Sequence, residues 1–196
     1  MIAQGTTDWL AERLGHVTAS KVAVIMAKGK GRETYKKQII NQRLTGELEP
    51  SKCSEAMAFG TQQEPFARMM YEAHRKVLVE EVGFCTHPTI KWVGVSPDGL
   101  VEDGLLEIKV PNPETHLGYT LLGVAPANYI PQMQMQMWVV GKNWNDFCSY
   151  HPKVPKNVQL HIIRVYRDED YIDRMEQEVI KFLAEVEESI NQLEAK

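Results

Sequence analysis

A β-hairpin near the middle of the chain constrains the fold more than any other feature of the sequence. Residues 105–110 form a predicted strand in which Glu107 and Lys109 lie on one face, while Leu106, Ile108 and Val110 alternate to the other. A Pro-Asp-Gly sequence shortly before this strand favours a tight turn at Asp98. A hairpin that joins the two segments would bring Asp98 beside Glu107.

The remaining chain predicts helices on both sides of a sheet. Helices are predicted at residues 7–15, from residue 18 or 20 to about 26, at 33–44, 62–74 and 127–140, and from Asp168 onwards. Strands are predicted at residues 77–84, 89–95, 105–110, 146–150 and 159–166. Residues 28–32 are expected to form a mobile basic loop and residues 46–51 a turn. This order predicts an α/β fold, with a central mixed β-sheet flanked by helices, and residues 1–196 fit a single domain.

Composition narrows the classes of protein to be considered. The formal net charge is -4, whereas a nucleic-acid-binding protein is typically basic, so contacts to DNA would need locally concentrated positive charge. Three scattered cysteines, Cys53, Cys85 and Cys148, indicate neither a disulfide framework nor a four-thiolate iron–sulfur cluster. No apolar run approaches the ~20 residues that cross a bilayer, and the first residues do not resemble a secretory signal. We therefore expect a cytoplasmic protein that does not interact with membranes.

The predicted hairpin carries groups suited to metal-assisted phosphodiester cleavage. Carboxylates such as Asp98 and Glu107 are the ligands that Mg²⁺ or Mn²⁺ accepts, and the metal lowers the pKa of a bound water. Lys109 could orient or deprotonate that water, or neutralise developing negative charge. The alternative is a solvated salt bridge between Glu107 and Lys109 beside an ordinary turn.

Other polar residues lie in or near the predicted helices. Each of them could act in a functional site or have a purely structural role. Glu64, at the predicted start of a helix, could act in a site or only stabilise the helix dipole. Gln132 and Gln136 are one helical turn apart in a Met-rich helix and could equally face water. Arg13 and Ser20 could hold a phosphate or cap helices.

Taken in order, these motifs resemble a known family. They are W-x3-R-x-G, T-A-S, G-x3-E, S-P-D-G-L, E-I-K and Q-x-Q, and they run from Trp9 to about Trp138. Together they are similar to the lambda-type (YqaJ-like) viral alkaline exonucleases of the PD-(D/E)xK nuclease superfamily. The resemblance implies a restriction-endonuclease-like core.

The resemblance also implies roles for single residues in catalysis. The implied metal ligands are Asp98, Glu107, the main-chain carbonyl of Ile108 and, for a second Mg²⁺ ion, Glu64. Lys109 would position or activate the attacking water, and Gln132 would help to orient it.

A second implied set of residues contacts DNA. Arg13, Ser20 and Ser96 match positions that hold the 5′-terminal phosphate. Lys30 matches a basic phosphate contact, although a lysine in place of arginine loses the bidentate fork. Met57 matches an apolar wedge that separates the terminal base pair.

The implied activity is digestion of one strand of linear double-stranded DNA from its 5′ end, which releases mononucleotides and leaves a 3′ single strand. Relatives are homotrimeric rings that act with a single-strand annealing protein in recombination, and the likeness implies a phage or prophage origin in a bacterial host. This chain is a compact member, so DNA-contacting loops could be shortened. Three alternatives stay open: an endonuclease of the same superfamily, a DNA-end-binding protein without catalysis, and a structural metal-binding domain.

Overall fold

The computed structural model describes residue 2 and residues 4–48 and 54–196 of the chain. The helices are α1 (Thr7–Arg13), α2 (Val22–Met26), α3 (Lys30–Thr45), α4 (Glu55–Arg75), α5 (Pro113–Leu122), α6 (Ile130–Val140) and α7 (Glu169–Glu194). The strands are β1 (Val17–Thr18), β2 (Cys85–Thr86), β3 (Val93–Val95), β4 (Gly99–Val101), β5 (Gly104–Lys109), β6 (Trp144–Tyr150) and β7 (Leu160–Tyr166). Short 3-10 helices cover Ala19–Lys21 and Lys156–Val158.

The strands form two mixed sheets rather than the single central sheet expected. The larger sheet has the order β4-β5-β6-β7, with β5 and β6 parallel and the other pairs antiparallel. The smaller has the order β1-β3-β2, with β1 parallel and β2 antiparallel to β3. Helix α6 contacts both sheets, and α4 packs on β5, β6 and β7 of the larger one. Mixed sheets flanked by helices confirm the predicted α/β class.

The predicted hairpin is present, but its first strand differs from the expected one. Gly99 of β4 pairs with Leu106 of β5, and the N–H of Asp98 donates to the Leu106 carbonyl at 3.1 Å. Strand β3, which precedes Asp98, belongs to the smaller sheet. Asp98 therefore lies where the chain passes from one sheet to the other.

Helix α7 forms the largest part of the core, as its apolar periodicity predicts. Its buried residues are Ile172, Met175, Val179, Phe182, Val186 and Ile190. The ring of Phe182 stacks on Tyr35 of α3 with ring centres 5.5 Å apart. The Asp168 side chain accepts a hydrogen bond from the N–H of Tyr171 at 2.9 Å, which confirms the predicted helix cap.

The predicted basic loop at residues 28–32 is wrong from Lys30 onwards, because α3 already begins there. Arg32 is buried, and its guanidinium donates to both carboxylate oxygens of Glu185 in α7 at 2.6 and 2.9 Å. This bidentate pair fixes the first turn of α3 against α7. Gly46 ends α3 with a positive φ of 70°, while residues 49–51 of the predicted turn, and Cys53, lie outside the described residues.

Helix α4 is longer than predicted, since it begins at Glu55 after a Ser54 cap and continues through Pro65. Glu64 is therefore inside a helix, and the idea that it stabilises a helix N-terminus is wrong. The predicted strand at residues 77–84 is also wrong. It forms one isolated bridge, between Glu80 and Leu100, and the N–H of Val79 donates to the Glu72 side chain instead.

Helix α5 was not predicted, although its ends carry ordinary helix signals. The Asn112 side chain accepts from the N–H of Thr115 at 2.8 Å, Pro113 follows it, and Gly123 ends the helix with a positive φ. Within the described ranges, no helix is both long and apolar enough to cross a membrane.

The packing of Gly104 at the start of β5 predicts a sensitive position. A Cβ added there would lie 2.1 Å from the Trp144 ring, whereas a Cβ at Gly118 inside α5 would meet nothing within 4 Å. Gly104→Ala should lower the free energy of unfolding by about 1–3 kcal/mol, because the buried indole must shift. Gly118→Ala, the matched control, should leave it unchanged or raise it by up to about 1 kcal/mol. Urea unfolding measures both, and equal effects of the two substitutions would contradict this packing.

Candidate active site

Strand β5 and the turn before β4 bring Asp98, Glu107 and Lys109 together. The Lys109 ammonium donates to Oε1 of Glu107, and one oxygen of Asp98 accepts from the N–H of Ile108 at 2.6 Å. The side chain of Glu107 is only 1% exposed. A buried carboxylate is not part of a solvated salt-bridge face, so that alternative does not describe Glu107.

Two glutamines of α6 complete the surroundings of Glu107. Gln132 donates to Oε1 of Glu107 at 2.6 Å, and Gln136 donates to Oε2 at 2.5 Å. The side-chain oxygen of Gln136 accepts in turn from Asn145 at 2.7 Å. Gln136 and Asn145 are both fully buried, so the suggestion that these glutamines face water fails for Gln136.

Asn145 was missed by the sequence analysis, and Gln136 was noticed without being given a role. The spacing of Gln132 and Gln136, one helical turn apart, already placed both on one helix face. Nothing in the sequence indicates Asn145, because it reaches Gln136 only through the pairing of β6 with β5, in which it lies opposite Leu105.

The carboxylates are crowded in a poorly solvated space. Burial raises the pKa of Asp98 well above its usual value, and the charge of Glu107 raises it further. Burial also raises the pKa of Glu64, against the opposing charges of Arg68 and Lys109. For Lys109, burial alone would lower the pKa, but Glu107 and Asp98 outweigh it and keep the ammonium charged.

This donor set fits a hard divalent cation. Among the described residues, no group of three or more His, Cys, Asp or Glu side chains forms a metal-binding cluster. Asp98 and Glu107 instead offer two carboxylates beside the main chain of Ile108, a set that suits Mg²⁺ because this ion keeps several of its waters. Burial first, and then the nearby charge of Glu107, raise the pKa of Asp98, and a bound cation would oppose both effects.

A small cavity beside Glu107 collects the residues expected to hold a phosphate. It has a volume of about 140 Å³ and is lined by Gln4, Trp9, Arg13, Ala19, Ser20, Ser96 and Gln132. We call it the arginine pocket. Ser96 Oγ accepts from the Trp9 indole and from the Arg13 guanidinium, both at 3.0 Å. The guanidinium lies 4.1 Å above the Trp9 ring, and within the described part of the chain no carboxylate forms an ion pair with it.

A second cavity lies on the other side of Lys109. It has a volume of about 340 Å³ and is lined by Ala56, Met57, Gly60, Thr61, Glu64, Ile108, Lys109 and Val110. We call it the central groove. Glu64 and Met57 thus reach the neighbourhood of Lys109 from α4, and Met57 is 55% exposed. Lys30 is exposed and lines neither of these two cavities.

Comparison with known protein families identifies the chain. A model of the YqaJ-like viral recombinase domain matches residues 8–143. The chain belongs to this family. The matched segment contains every residue of the arginine pocket except Gln4, together with Asp98, Glu107, Lys109 and α6.

Solved structures agree with membership of the YqaJ-like family. Crystal structures of LHK-Exo, an alkaline exonuclease from Laribacter hongkongensis, are 46% identical to this chain and cover 97% of both chains with a TM-score of 0.93. One of them is a complex with dAMP. The fold is therefore that of the restriction-endonuclease-like nucleases.

More distant relatives support the fold alone or only part of the chain. A phage-related exonuclease from Haemophilus somnus is 13% identical and covers 91% of this chain and 96% of its own, with a TM-score of 0.70. An uncharacterized protein of Acanthamoeba polyphaga mimivirus, R354, is 26% identical over 168 residues. This chain spans 29% of the length of R354.

The crowding at Asp98 predicts how stability depends on pH in the absence of metal. Because the folded-state pKa of Asp98 is raised, the unfolded chain ionises first, and this group lowers stability as pH rises above its ordinary pKa. Asp98→Asn keeps an acceptor for the Ile108 N–H and removes the charge. In EDTA, the variant should be more stable than the wild type at pH 8, with a smaller difference at pH 4. Thermal unfolding across this range measures it, and parallel pH profiles of the two proteins would show that Asp98 is not crowded.

Proposed function

We propose that this YqaJ-like protein is a Mg²⁺-dependent exonuclease that degrades one strand of linear double-stranded DNA in the 5′-to-3′ direction. It releases mononucleotides and leaves 3′ single-stranded DNA for recombination by strand annealing. The observation that carries this proposal is the convergence of Asp98, Glu107 and Lys109 beside the arginine pocket, whose Arg13 forms no ion pair with any carboxylate of the described residues. The likeness to LHK-Exo supports it, since that alkaline exonuclease binds dAMP, a mononucleotide.

In this proposal, each residue of the site has a separate role in the reaction. Asp98, Glu107 and the main-chain carbonyl of Ile108 would hold Mg²⁺, with Mn²⁺ as a substitute, and Glu64 would help to hold a second ion. The metal supplies an activated water and neutralises charge on the phosphate. The charged ammonium of Lys109 stabilises negative charge that develops on the phosphate oxygens.

Two glutamines give this arrangement its rigidity. Gln136 fixes one oxygen of Glu107 from the buried side, and Gln132 holds the other from the side of the arginine pocket. Gln132 would also help to orient the attacking water, and its position in the lining of the arginine pocket supports this role.

Recognition of a DNA end follows from the arginine pocket. Within the described part of the chain, Ser96 Oγ only accepts hydrogen bonds, from Trp9 and Arg13, so its own proton could be donated to a phosphate oxygen. Arg13 supplies a fixed positive charge and Ser20 a second hydroxyl. A cavity of about 140 Å³ has room for a phosphate group. The strand would begin here, and its first phosphodiester would reach Glu107.

The proposal also covers further DNA contacts, the oligomeric state and the protein partner. Met57 is exposed on the rim of the central groove, as a wedge that separates the terminal base pair would be. Lys30 would contact the DNA backbone farther away. We propose a homotrimeric ring around the DNA, because a ring retains its substrate without tight binding and so suits a net charge of -4. A single-strand annealing protein would be the partner, in the bacterial cytoplasm, with the protein encoded by a phage or prophage.

The decisive experiment uses linear duplexes labelled at the 5′ or the 3′ end, with and without Mg²⁺. With Mg²⁺, the 5′ label should appear in mononucleotides at once, while the 3′ label stays in long strands. Lys109→Ala should lower the rate by about 100-fold or more, because it removes a preorganised charge. A near-normal rate in this variant, or no Mg²⁺-dependent cleavage by the wild type, would contradict the proposal. Closed circular duplex is the control, since nicking of the circle would indicate an endonuclease.

The arginine pocket predicts a dependence on the end group. Duplexes with 5′-hydroxyl ends should be digested more slowly than those with 5′-phosphate ends, because Arg13 then lacks its anion. Arg13→Ala should slow digestion of phosphorylated ends and leave hydroxyl ends nearly unaffected. The rate ratio of the two substrates measures the effect. If the wild type digests both at one rate, the pocket does not read the phosphate, although the nuclease assignment would stand.

A further inference from the structure

A third cavity continues the central groove beyond the catalytic residues. It has a volume of about 300 Å³ and is lined by Glu55, Ala56, Phe59, Val110, Pro111, Asn112, Pro113, His151 and Lys153. Ala56 and Val110 line both this cavity and the central groove. The arginine pocket, the catalytic residues, the central groove and this third cavity therefore follow one another along the molecule.

The third cavity has an aromatic wall. The rings of Phe59 and His151 lie 5.7 Å apart, and the Lys153 ammonium lies 5.9 Å from the centre of the Phe59 ring. His151 is buried, and its Nδ1 accepts from the N–H of Lys153, so the proton of the neutral ring is on Nε2. Burial, with the nearby His116 and Lys153, lowers the pKa of His151 and favours this neutral form. The wall thus combines a π surface with hydrogen-bond donors.

The same cavity is positive at its edge. Glu55 and Ala56 belong to the first turn of α4, and Asn112 and Pro113 begin α5, so the positive ends of two helices meet here. Lys153 is exposed and adds a full charge. The carboxylate of Glu55 opposes them, but it is itself exposed to solvent. A π surface beside positive charge matches a base and its phosphate.

We infer that this cavity is a subsite for the second nucleotide of the digested strand, whose base stacks on Phe59. The inference rests on the proposed function and extends it. If the 5′-phosphate lies in the arginine pocket and the first phosphodiester at Glu107, the strand continues over Lys109 towards Pro111. Val110, which lines this cavity, follows Lys109 directly in the chain, so the cavity begins next to the catalytic residues. Stacking there holds the strand on the side of the scissile bond that stays on the DNA.

The test is a double-mutant cycle that combines a substitution of Phe59 with removal of the base from the second nucleotide of the DNA. Two 5′-phosphorylated linear duplexes differ only at the second nucleotide, which carries a normal base or a tetrahydrofuran abasic residue. That nucleotide is left unpaired in both, so base-pair opening contributes equally. Removal of the base should lower the wild-type kcat/KM for release of the first nucleotide by about 5- to 150-fold, the range for one stacked base.

Phe59→Ala should lower kcat/KM for the base-containing duplex by a similar factor and show little further loss with the abasic one. Phe59→Leu keeps most of the side-chain volume and should show an intermediate loss, so the cycle does not depend on the folding of the alanine variant. Phe66→Ala changes an exposed phenylalanine of the same helix and should discriminate the two duplexes like the wild type.

The possible outcomes distinguish a failure of the proposed subsite from a failure of the proposed exonuclease function. If the Phe59 variants discriminate the two duplexes as strongly as the wild type, the subsite is overturned while the exonuclease stands. If the wild type releases no nucleotide from either duplex with Mg²⁺, the proposed function fails, and the subsite with it.

Discussion

The carboxylate of Glu107 is withdrawn from solvent and accepts hydrogen bonds from Lys109, Gln132 and Gln136. Burial of a carboxylate without hydrogen-bond partners is strongly unfavourable, so this set of donors compensates for the burial of Glu107. The same donors leave Glu107 a single orientation, directed between α6 and β5. The geometry of the YqaJ-like site depends on this interaction, because Glu107 binds Gln132 of the arginine pocket and Lys109 of the central groove.

The two-sheet arrangement explains how distant parts of the chain reach that carboxylate. Asp98 lies in the segment that connects the two sheets, whereas Glu107 and Lys109 belong to the larger sheet. The glutamines come from α6, which packs on both sheets. Arg13 and Ser20 come from the N-terminal helices, and Ser96 binds Arg13 directly. The site therefore lies where the two sheets meet, and its shape depends on how they are positioned relative to each other.

Local patterns predicted part of this arrangement well. The cap at Asp168 and the apolar stripe of α7 depend only on neighbouring residues, as does the pairing of a turn with a strand that brings Asp98 to Glu107. These patterns suffice for the α/β class and for the central residues of the candidate site.

Non-local contacts account for what the sequence analysis missed. The start of α3 depends on the pair between Arg32 and Glu185, which are 153 residues apart. The segment at residues 77–84 is rich in residues that favour strands, but its partners include the Glu72 and Gln4 side chains and one isolated bridge rather than a neighbouring strand. Asn145 reaches Gln136 only after β6 pairs with β5. Neither composition nor spacing contains this information.

The parallel pairing of β5 with β6 has a kinetic consequence. Parallel neighbours require a crossover, which here consists of α5 and α6 between Lys109 and Trp144. The closure entropy of this long loop is lost before the pairing can stabilise it, so such contacts form late in folding. Because α6 lies within the crossover, Gln132 and Gln136 reach Glu107 only when the crossover packs against β5. The buried carboxylate of Glu107 therefore gains its full set of hydrogen-bond donors late in folding, together with the pairing of β5 and β6.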